Sequence, residues 1–456
     1  MSSLLRPASA GVPIPRDGNS DTPELRFPQP PFTGCTDDLS PGSDSGSCAT
    51  AGLFRRSALS WCEGRLDAGL QFAEAAIDSV CAERHEFCEV APFWHVALLI
   101  KARELDVAWR ALNALQDSLQ GCGGRPDSPE SRRSPRMSAT WHVFRGELLF
   151  AAGQAEEGLA EVCTGLRLAE RTGVHTLRPT AYVTLALGAL RRADMRTCLH
   201  YTDKLASEAL LGYFGQAAGA WVTAQTAEAR NGVDGAAGLI AGIVSNPLVR
   251  RQLLVSEPAA ASWLVRAATK LGADDLAVTA ARAARTAAAE HPRFTAIHAT
   301  ALHATGLLNN DPHILHQAAT LQPDRWTAAS AHEDLATLLA GHGNRDATVR
   351  HYESALTTYT AVGATRDAAR IVNKLRDLGI RRGTTRTTEH HGDLPHGLTS
   401  TEYAVAELVS QGHTNNEVGR QLFISRHTVA FHLKKVYQKM SVASRVELAA
   451  TWKALH

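Results

Sequence analysis

The sequence lacks the signatures of several protein classes. Its 456 residues contain no Gly-Lys pair, so no GxxxxGK[ST] phosphate-binding loop can be assigned. There is no GxSxG nucleophile elbow, and no apolar run approaches the roughly 20 residues that cross a bilayer. These absences argue against a P-loop nucleotidase, an elbow-type hydrolase and a membrane protein. No enzymatic activity is expected.

The cysteines give no sign of a disulfide framework, a metal site or a redox motif. The eight cysteines form no CxxC motif and all lie in the first half of the chain. Together with an N-terminus that lacks the basic-then-apolar order of a signal peptide, this predicts reduced thiols and a cytoplasmic protein. No cofactor or metal is expected, because a group of histidines has no clear ligand spacing and is predicted to pack or lie at the surface: His291, His298, His303, His313, His316 and His332.

Aromatic residues are also few, at 6%, whereas alanine and leucine are abundant. Such a composition favours helix over strand. Residues 1–50 are instead rich in Pro, Ser, Gly and Asp. They cannot bury enough apolar surface to offset the entropy of ordering, so this segment is predicted to be disordered.

Residues 51–382 repeat one pattern, in which an Ala/Leu-rich segment, a short break and a second such segment follow one another. The breaks are Glu63–Asp67, Arg103–Val107, Ala152–Glu156, Arg191–Met195, Asn231–Gly235, Leu271–Asp275, Leu308–Pro312 and His342–Asp346. A period of roughly 40 residues indicates stacked helical hairpins. The repeats resemble tetratricopeptide hairpins. Residues 121–136 are expected to be a surface loop and residues 383–396 a flexible linker.

The last sixty residues, 397–456, differ from the rest in charge. They contain seven basic and four acidic residues, and four of the basic ones lie between Arg426 and Lys439. Capping boxes, in which a hydroxyl caps a helix and a Glu three positions on caps it in return, predict three helix starts: Thr399–Glu402, Thr414–Glu417 and Ser444–Glu447. The remaining helix, third in chain order, starts at Ser425 and has no such Glu. Without an acidic residue there, the positive end of this helix can approach DNA phosphates.

Apolar spacing divides the helix after Ser425 into two faces. The predicted core contains Val405, Leu408, Val418, Leu422, Ile424, Val429, Leu433, Val436, Val446 and Leu448. The opposite face carries Arg426, His427, Ala430, Phe431 and Lys434, the arrangement of a recognition helix in the DNA major groove. For Phe431 the alternative is packing in the core.

The segment resembles the helix-turn-helix domain of the LuxR family of bacterial transcription regulators, including the NarL and GerE type. The matching residues are Leu398-Thr399, Glu402, Gly412, Thr414-Asn415, Glu417-Val418, Leu422, Ile424-Ser425, Thr428-Val429, His432-Leu433, Lys439-Met440 and Ser444-Arg445-Val446-Glu447. The resemblance implies four helices that bind DNA, commonly as a dimer. The helical array before them is similar to the C-terminal half of the large ATP-binding LuxR regulators, without their NTPase domain.

Site residues follow from this resemblance together with the face of the helix. The base contacts are expected from His427, Ala430, Phe431 and Lys434. Contacts to the DNA backbone are expected from Thr414, Asn415, Ser425, Arg426, Thr428, His432, Lys435 and Lys439, and dimer contacts from Val442, Val446 and Ala450. One departure is Ala430, where the family often has Lys, so the preferred DNA sequence is expected to differ.

The predicted function is sequence-specific binding of promoter DNA, with activation favoured over repression by the resemblance. The partners expected are double-stranded DNA, a second copy of the chain, RNA polymerase, and a ligand or protein on the repeat array. The alternative is a protein-interaction scaffold whose terminal domain binds DNA weakly or not at all.

Overall fold

A computed structural model of the chain describes residues 49–79, 86–121, 135–208, 212–380, 398, 400–422 and 426–455. Every regular element in these ranges is a helix, which confirms the predicted all-α class. The predicted linker at residues 383–396 lies outside the described residues, as do most of the predicted disordered segment, residues 1–50, and of the predicted loop, residues 121–136. Where the structure describes those two segments it corrects the prediction, because Ala49 and Thr50 begin a helix, Gly121 ends one, and Pro135 and Arg136 begin another. None of the helices in the described ranges is long and apolar enough to cross a membrane.

Eighteen helices form the repeat array in the described part of residues 49–380. They are α1 Ala49–Cys62, α2 Leu66–Asp78, α3 Glu86–Ala102, α4 Leu105–Gly121, α5 Pro135–Ala151, α6 Ala155–Thr172, α7 Arg178–Arg191, α8 Met195–Ser207, α9 Gly212–Asn231, α10 Ala237–Ser245, α11 Pro247–Ser256, α12 Ala260–Lys270, α13 Asp274–Glu290, α14 Thr295–Asn309, α15 Pro312–Leu321, α16 Arg325–Gly341, α17 Arg345–Ala361 and α18 Thr365–Asp377. Short 3-10 turns precede α7 and α10.

All eight predicted breaks coincide with the connection between two helices of the array. The turn after α16 shows why. Gly343 adopts a φ of 74°, a left-handed conformation that glycine reaches without strain, and Asn344 then caps α17 by accepting a hydrogen bond from the amide of Ala347 at 3.2 Å. Gly and Asn in the sequence therefore mark the point where one helix ends and the next begins.

Within a hairpin the two helices approach closely where small residues face each other. A methyl group added to Gly158 on α6 would lie 2.7 Å from the amide nitrogen of Phe150 and 2.8 Å from the carbonyl oxygen of Gly146, both on α5. No side chain other than hydrogen fits there without moving the backbone. These glycines therefore set the spacing of α5 and α6.

Helices far apart in sequence also meet in the array. We call this contact the seam and define it by eleven residues: Gly64, Asp67, Lys101, Arg103, Arg191 and Arg192 from the earlier hairpins, and Glu257, His291, Asp324, Trp326 and Thr365 from the later ones. The partners lie 135 to 227 residues apart, as in the hydrogen bond between His291 Nε2 and the carbonyl oxygen of Gly64 at 2.9 Å. The array therefore coils so that later hairpins pack on earlier ones.

The seam is charged and yet buried. Lys101 and Glu257 are each 6% exposed, and the Lys101 Nζ lies 3.3 Å from Glu257 Oε1 and 3.2 Å from Glu147 Oε1. Burial lowers the pKa of the Lys101 ammonium, but these two carboxylates outweigh it, and the pKa ends above its usual value. Lys101 therefore stays charged inside the fold.

Arginine supplies the rest of the seam. Arg103 Nε donates to Asp324 Oδ2 at 3.1 Å, and the guanidinium of Arg191 lies 4.5 Å from the centre of the Trp326 ring. Burial raises the pKa of the Asp324 carboxyl, but Arg103 and Arg191 outweigh it and hold the pKa below its usual value. Opposite charges thus compensate each other across the seam.

Two of the clustered histidines have the packing role that was predicted. His291 belongs to the seam, and His303 is buried with its Nε2 2.7 Å from Asp334 Oδ2. Among the described residues, no three His, Cys, Asp or Glu side chains are arranged to hold a metal ion.

Four further helices have a hydrophobic core of their own. They are α19 Ser400–Ser410, α20 Asn415–Leu422, α21 Arg426–Met440 and α22 Arg445–Leu455. The core contains Leu398, Val405, Ala406, Val409, Val418, Val429, Leu433, Val436, Met440, Val442, Leu448 and Trp452. It differs from the predicted core at Val446, which is 80% exposed. The prediction was wrong because α22 turns Leu448 and Trp452 inward, and Val446 then falls on the outer side of that helix.

Candidate nucleic-acid interface

The start of α20 is fixed by a reciprocal cap. Thr414 Oγ1 accepts a hydrogen bond from the amide of Glu417 at 3.3 Å, and Glu417 Oε2 accepts one from the amide of Thr414 at 2.7 Å. The predicted capping box is confirmed here. Its hydroxyl is already engaged by Glu417, so the expected backbone contact of Thr414 with DNA would be made from within this cap.

The start of α22 is capped in a similar way. Ser444 Oγ accepts from the amide of Glu447 at 3.2 Å, while Glu447 Oε2 accepts from the amide of Ala443 at 2.7 Å, one residue before the cap. This cap is also confirmed. Of the remaining predicted caps, Thr399 and Ser425 lie outside the described residues.

The recognition helix candidate, α21, has the two faces that were predicted. Val429, Leu433, Val436 and Met440 recur at helical spacing and are buried in the core. The opposite side exposes Arg426, Ala430, Phe431, Lys434 and Lys435. The first turn of α21 contains no acidic residue, so nothing there repels a phosphate. The side chains of His427 and Thr428 fall outside what the structure describes.

Phe431 is 57% exposed. The alternative interpretation, in which this side chain packs in the core, is therefore wrong. The Nζ atom of Lys435, one turn further along α21, lies 4.6 Å from the centre of the Phe431 ring. This is a cation–π contact. The ring and the ammonium group thus form one mixed apolar and positive surface.

His432 lies at the edge of this surface. Its Nδ1 atom is buried and has no hydrogen-bond partner among the described residues. Burial lowers the pKa of the imidazole, and Lys435 lowers it further, against an opposing effect of Glu402. The side chain is therefore neutral near pH 7, and any contact it makes with a phosphate would be a neutral hydrogen bond.

Lys439 is engaged within the protein. Its Nζ lies 2.6 Å from Glu402 Oε2, and Glu402 is only 3% exposed. The pair joins the end of α21 to the start of α19. Sequence reasoning assigned Glu402 to a cap and Lys439 to DNA, and it missed the pair because the two residues are 37 positions apart.

Arg445 is a second residue whose role the sequence did not show. Its guanidinium donates to the carbonyl oxygen of His413 and, at 3.4 Å, to Oδ1 of Asn415. Asn415 is one of the predicted backbone contacts. Arg445 therefore holds the start of α20 against the start of α22.

The three predicted dimer residues differ in exposure. Val442 packs in the core and is 8% exposed, so it offers little surface to a second copy. Val446 and Ala450 are one helical turn apart and exposed on α22. A dimer contact through this helix would therefore rest on Val446 and Ala450.

The short helix α20 precedes the exposed basic helix α21, and both pack on α19, which also packs against α22. This arrangement defines a helix-turn-helix domain. Residues 396–451 match the family described as "Bacterial regulatory proteins, luxR family". The C-terminal domain is a LuxR-family helix-turn-helix domain, as the sequence resemblance predicted.

Similar proteins carry regulatory names. A Mycobacterium bovis HTH-type transcriptional regulator is 49% identical over 51 residues, which cover 11% of this chain and 6% of that protein. The monoamine regulon transcriptional regulator of Klebsiella aerogenes is 36% identical over 88 residues, 19% of this chain and 37% of its own. LiaR of Bacillus subtilis, a transcriptional regulatory protein, is 38% identical over 63 residues, which cover 13% of this chain and 30% of LiaR. The chain thus spans a small part of these relatives.

One solved structure overlaps more of the chain. A Rap protein in complex with competence and sporulation factor is 11% identical and covers 87% of this chain and 98% of its own, with a TM-score of 0.35.

Proposed function

We propose that the chain is a sequence-specific DNA-binding regulator of transcription. The observation that carries this is the exposed side of α21, which carries Phe431 with Lys435 over its ring and two further exposed basic residues, Arg426 and Lys434, while an apolar stripe of the same helix is buried. An α-helix fits the major groove of B-DNA, and basic residues supply the attraction to phosphates. The luxR-family match supports the same interpretation.

Lys434 is the side chain that we propose to contact a base, since it is exposed and forms no ion pair with another described residue. Lysine donates most readily to O6 and N7 of guanine. Asn415, held by Arg445, is proposed to contact the DNA backbone. Val446 and Ala450 are proposed to pair two copies, so bound sites would consist of two half-sites about 10 base pairs apart or a multiple of that.

The test is selection of duplexes from a random pool by the full chain, followed by binding measurements at several salt concentrations. We expect paired half-sites to be enriched. Lys434→Ala should weaken binding to the selected duplex by about 1–3 kcal/mol and relax the preference at one base pair. Lys453→Ala, on the exposed side of α22, is the matched control and should leave that preference unchanged.

A pool that shows no enrichment would contradict the proposal and favour the alternative, an interaction scaffold with a domain that binds DNA weakly or not at all. Activation rather than repression, contact with RNA polymerase, and a ligand or protein on the repeat array stay predictions.

A further inference from the structure

Phe431 is the largest exposed apolar side chain on α21, and the fold of the domain does not require it. Its neighbours Val429 and Leu433 are 0% and 7% exposed and already close the core beneath the helix. Ala430, beside it, is exposed and too small to shield the ring. The ring is therefore available to whatever approaches this face.

The surroundings of the ring favour a polyanion as that occupant. Lys435 Nζ lies 4.6 Å from the ring centre, and Arg426 and Lys434 are exposed on the same helix. One ammonium group at the ring and two further exposed positive charges on the same helix suit nucleic acid better than an apolar protein groove, because burying these charges against apolar surface would be costly.

Base edges in the major groove offer few apolar groups to a phenyl ring. The C5-methyl group of thymine is apolar, whereas the other groups there are hydrogen-bond donors or acceptors. Cytosine has only a hydrogen at C5, but 5-methylcytosine carries the same methyl as thymine. We infer that Phe431 recognises the C5-methyl group of a pyrimidine, so that the protein distinguishes thymine from uracil and 5-methylcytosine from cytosine.

This inference rests on the proposed function and is tested on the same selected duplex with the full chain. Each thymine is replaced in turn by deoxyuridine, which removes only the methyl group. At one position in each half-site we expect binding to weaken about fourfold, the effect of exposing one buried methyl-sized group. When that base pair is replaced by C·G, methylating the cytosine at C5 should strengthen binding again by about fourfold.

The variants assign the effect to the ring. Phe431→Ala should bind the thymine and uracil duplexes equally, and Phe431→Leu, which keeps an apolar contact, should still prefer thymine. Lys435→Ala is the matched control: it should lower the salt dependence but keep the preference for thymine. Circular dichroism of each variant verifies that the helices are retained.

The outcomes separate the inference from the proposed function. If no sequence is enriched, both fail. If half-sites are enriched but contain no thymine, or if uracil binds as well as thymine at every position, the inference alone fails. It also fails if Phe431→Ala keeps the preference, since another residue would then recognise the methyl group.

Discussion

Single side chains decide how much of the positive charge on α21 is available to DNA. Lys435 and Lys439 are both exposed lysines on this helix, but only Lys439 forms an ion pair with a buried carboxylate, that of Glu402. The Lys439–Glu402 pair as a whole has no net charge, so it attracts a phosphate less than an unpaired lysine does. Counting basic residues in the sequence therefore overstates the number of phosphate contacts.

We predict that the two lysines respond differently to replacement. Lys439→Ala deprives the buried Glu402 of this counter-charge and should lower the free energy of unfolding by about 1.5–3 kcal/mol, with little change in salt dependence. Lys435→Ala should leave stability unchanged and reduce the salt slope of DNA binding by about 1. Urea unfolding and DNA titrations at several salt concentrations measure both. A reduced salt slope for Lys439→Ala would contradict the assignment.

The sequence predicted those side chains whose position depends on helical spacing alone. The exposed side of α21 and the capping boxes of Thr414 and Ser444 are local, because their partners lie three or four residues away. Val446 was misplaced, because the rotation of α22 depends on how Trp452 packs against Tyr403, whose ring centre is 4.9 Å distant. That contact joins two ends of the domain, and no spacing rule encodes it.

Among the elements, the hairpins α15–α17 bring three histidines together. His332 Nδ1 lies 3.1 Å from His351 Nδ1, and the ring centre of His316 lies 5.8 Å from that of His351. Burial, together with the neighbouring His351 and His316, lowers the pKa of His332 from 6.5 to about 4. His351 has a lowered pKa too, owing to burial, His316 and Arg350. A second positive charge here would be repelled.

The sign of the resulting pH dependence follows from the shift. The unfolded chain binds a proton at His332 near pH 6.5 and the folded chain only near pH 4. The stability contributed by the neutral form is therefore present above pH 6.5 and is lost as the pH falls towards 4. We predict that the melting temperature of the full chain falls over this window, and that His332→Asn makes the fall shallower.

His298→Asn, at an exposed position on α14, provides the control and should melt with the pH profile of the unaltered chain. Identical profiles for all three proteins would show that the histidine group does not limit stability in acid.

The order of the hairpins was predictable, but their long-range pairing was not. Gly, Asn and Asp residues end helices by local geometry, so the eight breaks named above were visible in the sequence. The seam joins residues such as Arg103 and Asp324 across 221 positions. In the sequence each is an ordinary charged residue near a break, and its burial becomes apparent only when the array coils.

For the whole molecule, the seam should contribute strongly to stability. Lys101→Met removes one positive partner from each of two buried carboxylates, Glu147 and Glu257, and should lower the free energy of unfolding by about 3–5 kcal/mol. Lys270→Met is the matched control, because Lys270 is 62% exposed and lies 3.7 Å from Glu228. That change should stay within about 1 kcal/mol. Equal effects in urea unfolding would show that the seam does not hold the array together.

The seam also limits how the array can change in length. In an array whose hairpins touch only their neighbours, one hairpin can be gained or lost without disturbing the rest. Here, deleting one hairpin between Arg103 and Glu257 would rotate every later hairpin around the coil, and Asp324 would no longer meet Arg103. Hairpins are therefore expected to be gained or lost only in the number that makes one complete turn of the coil, because that change keeps the two sides of the seam opposite each other.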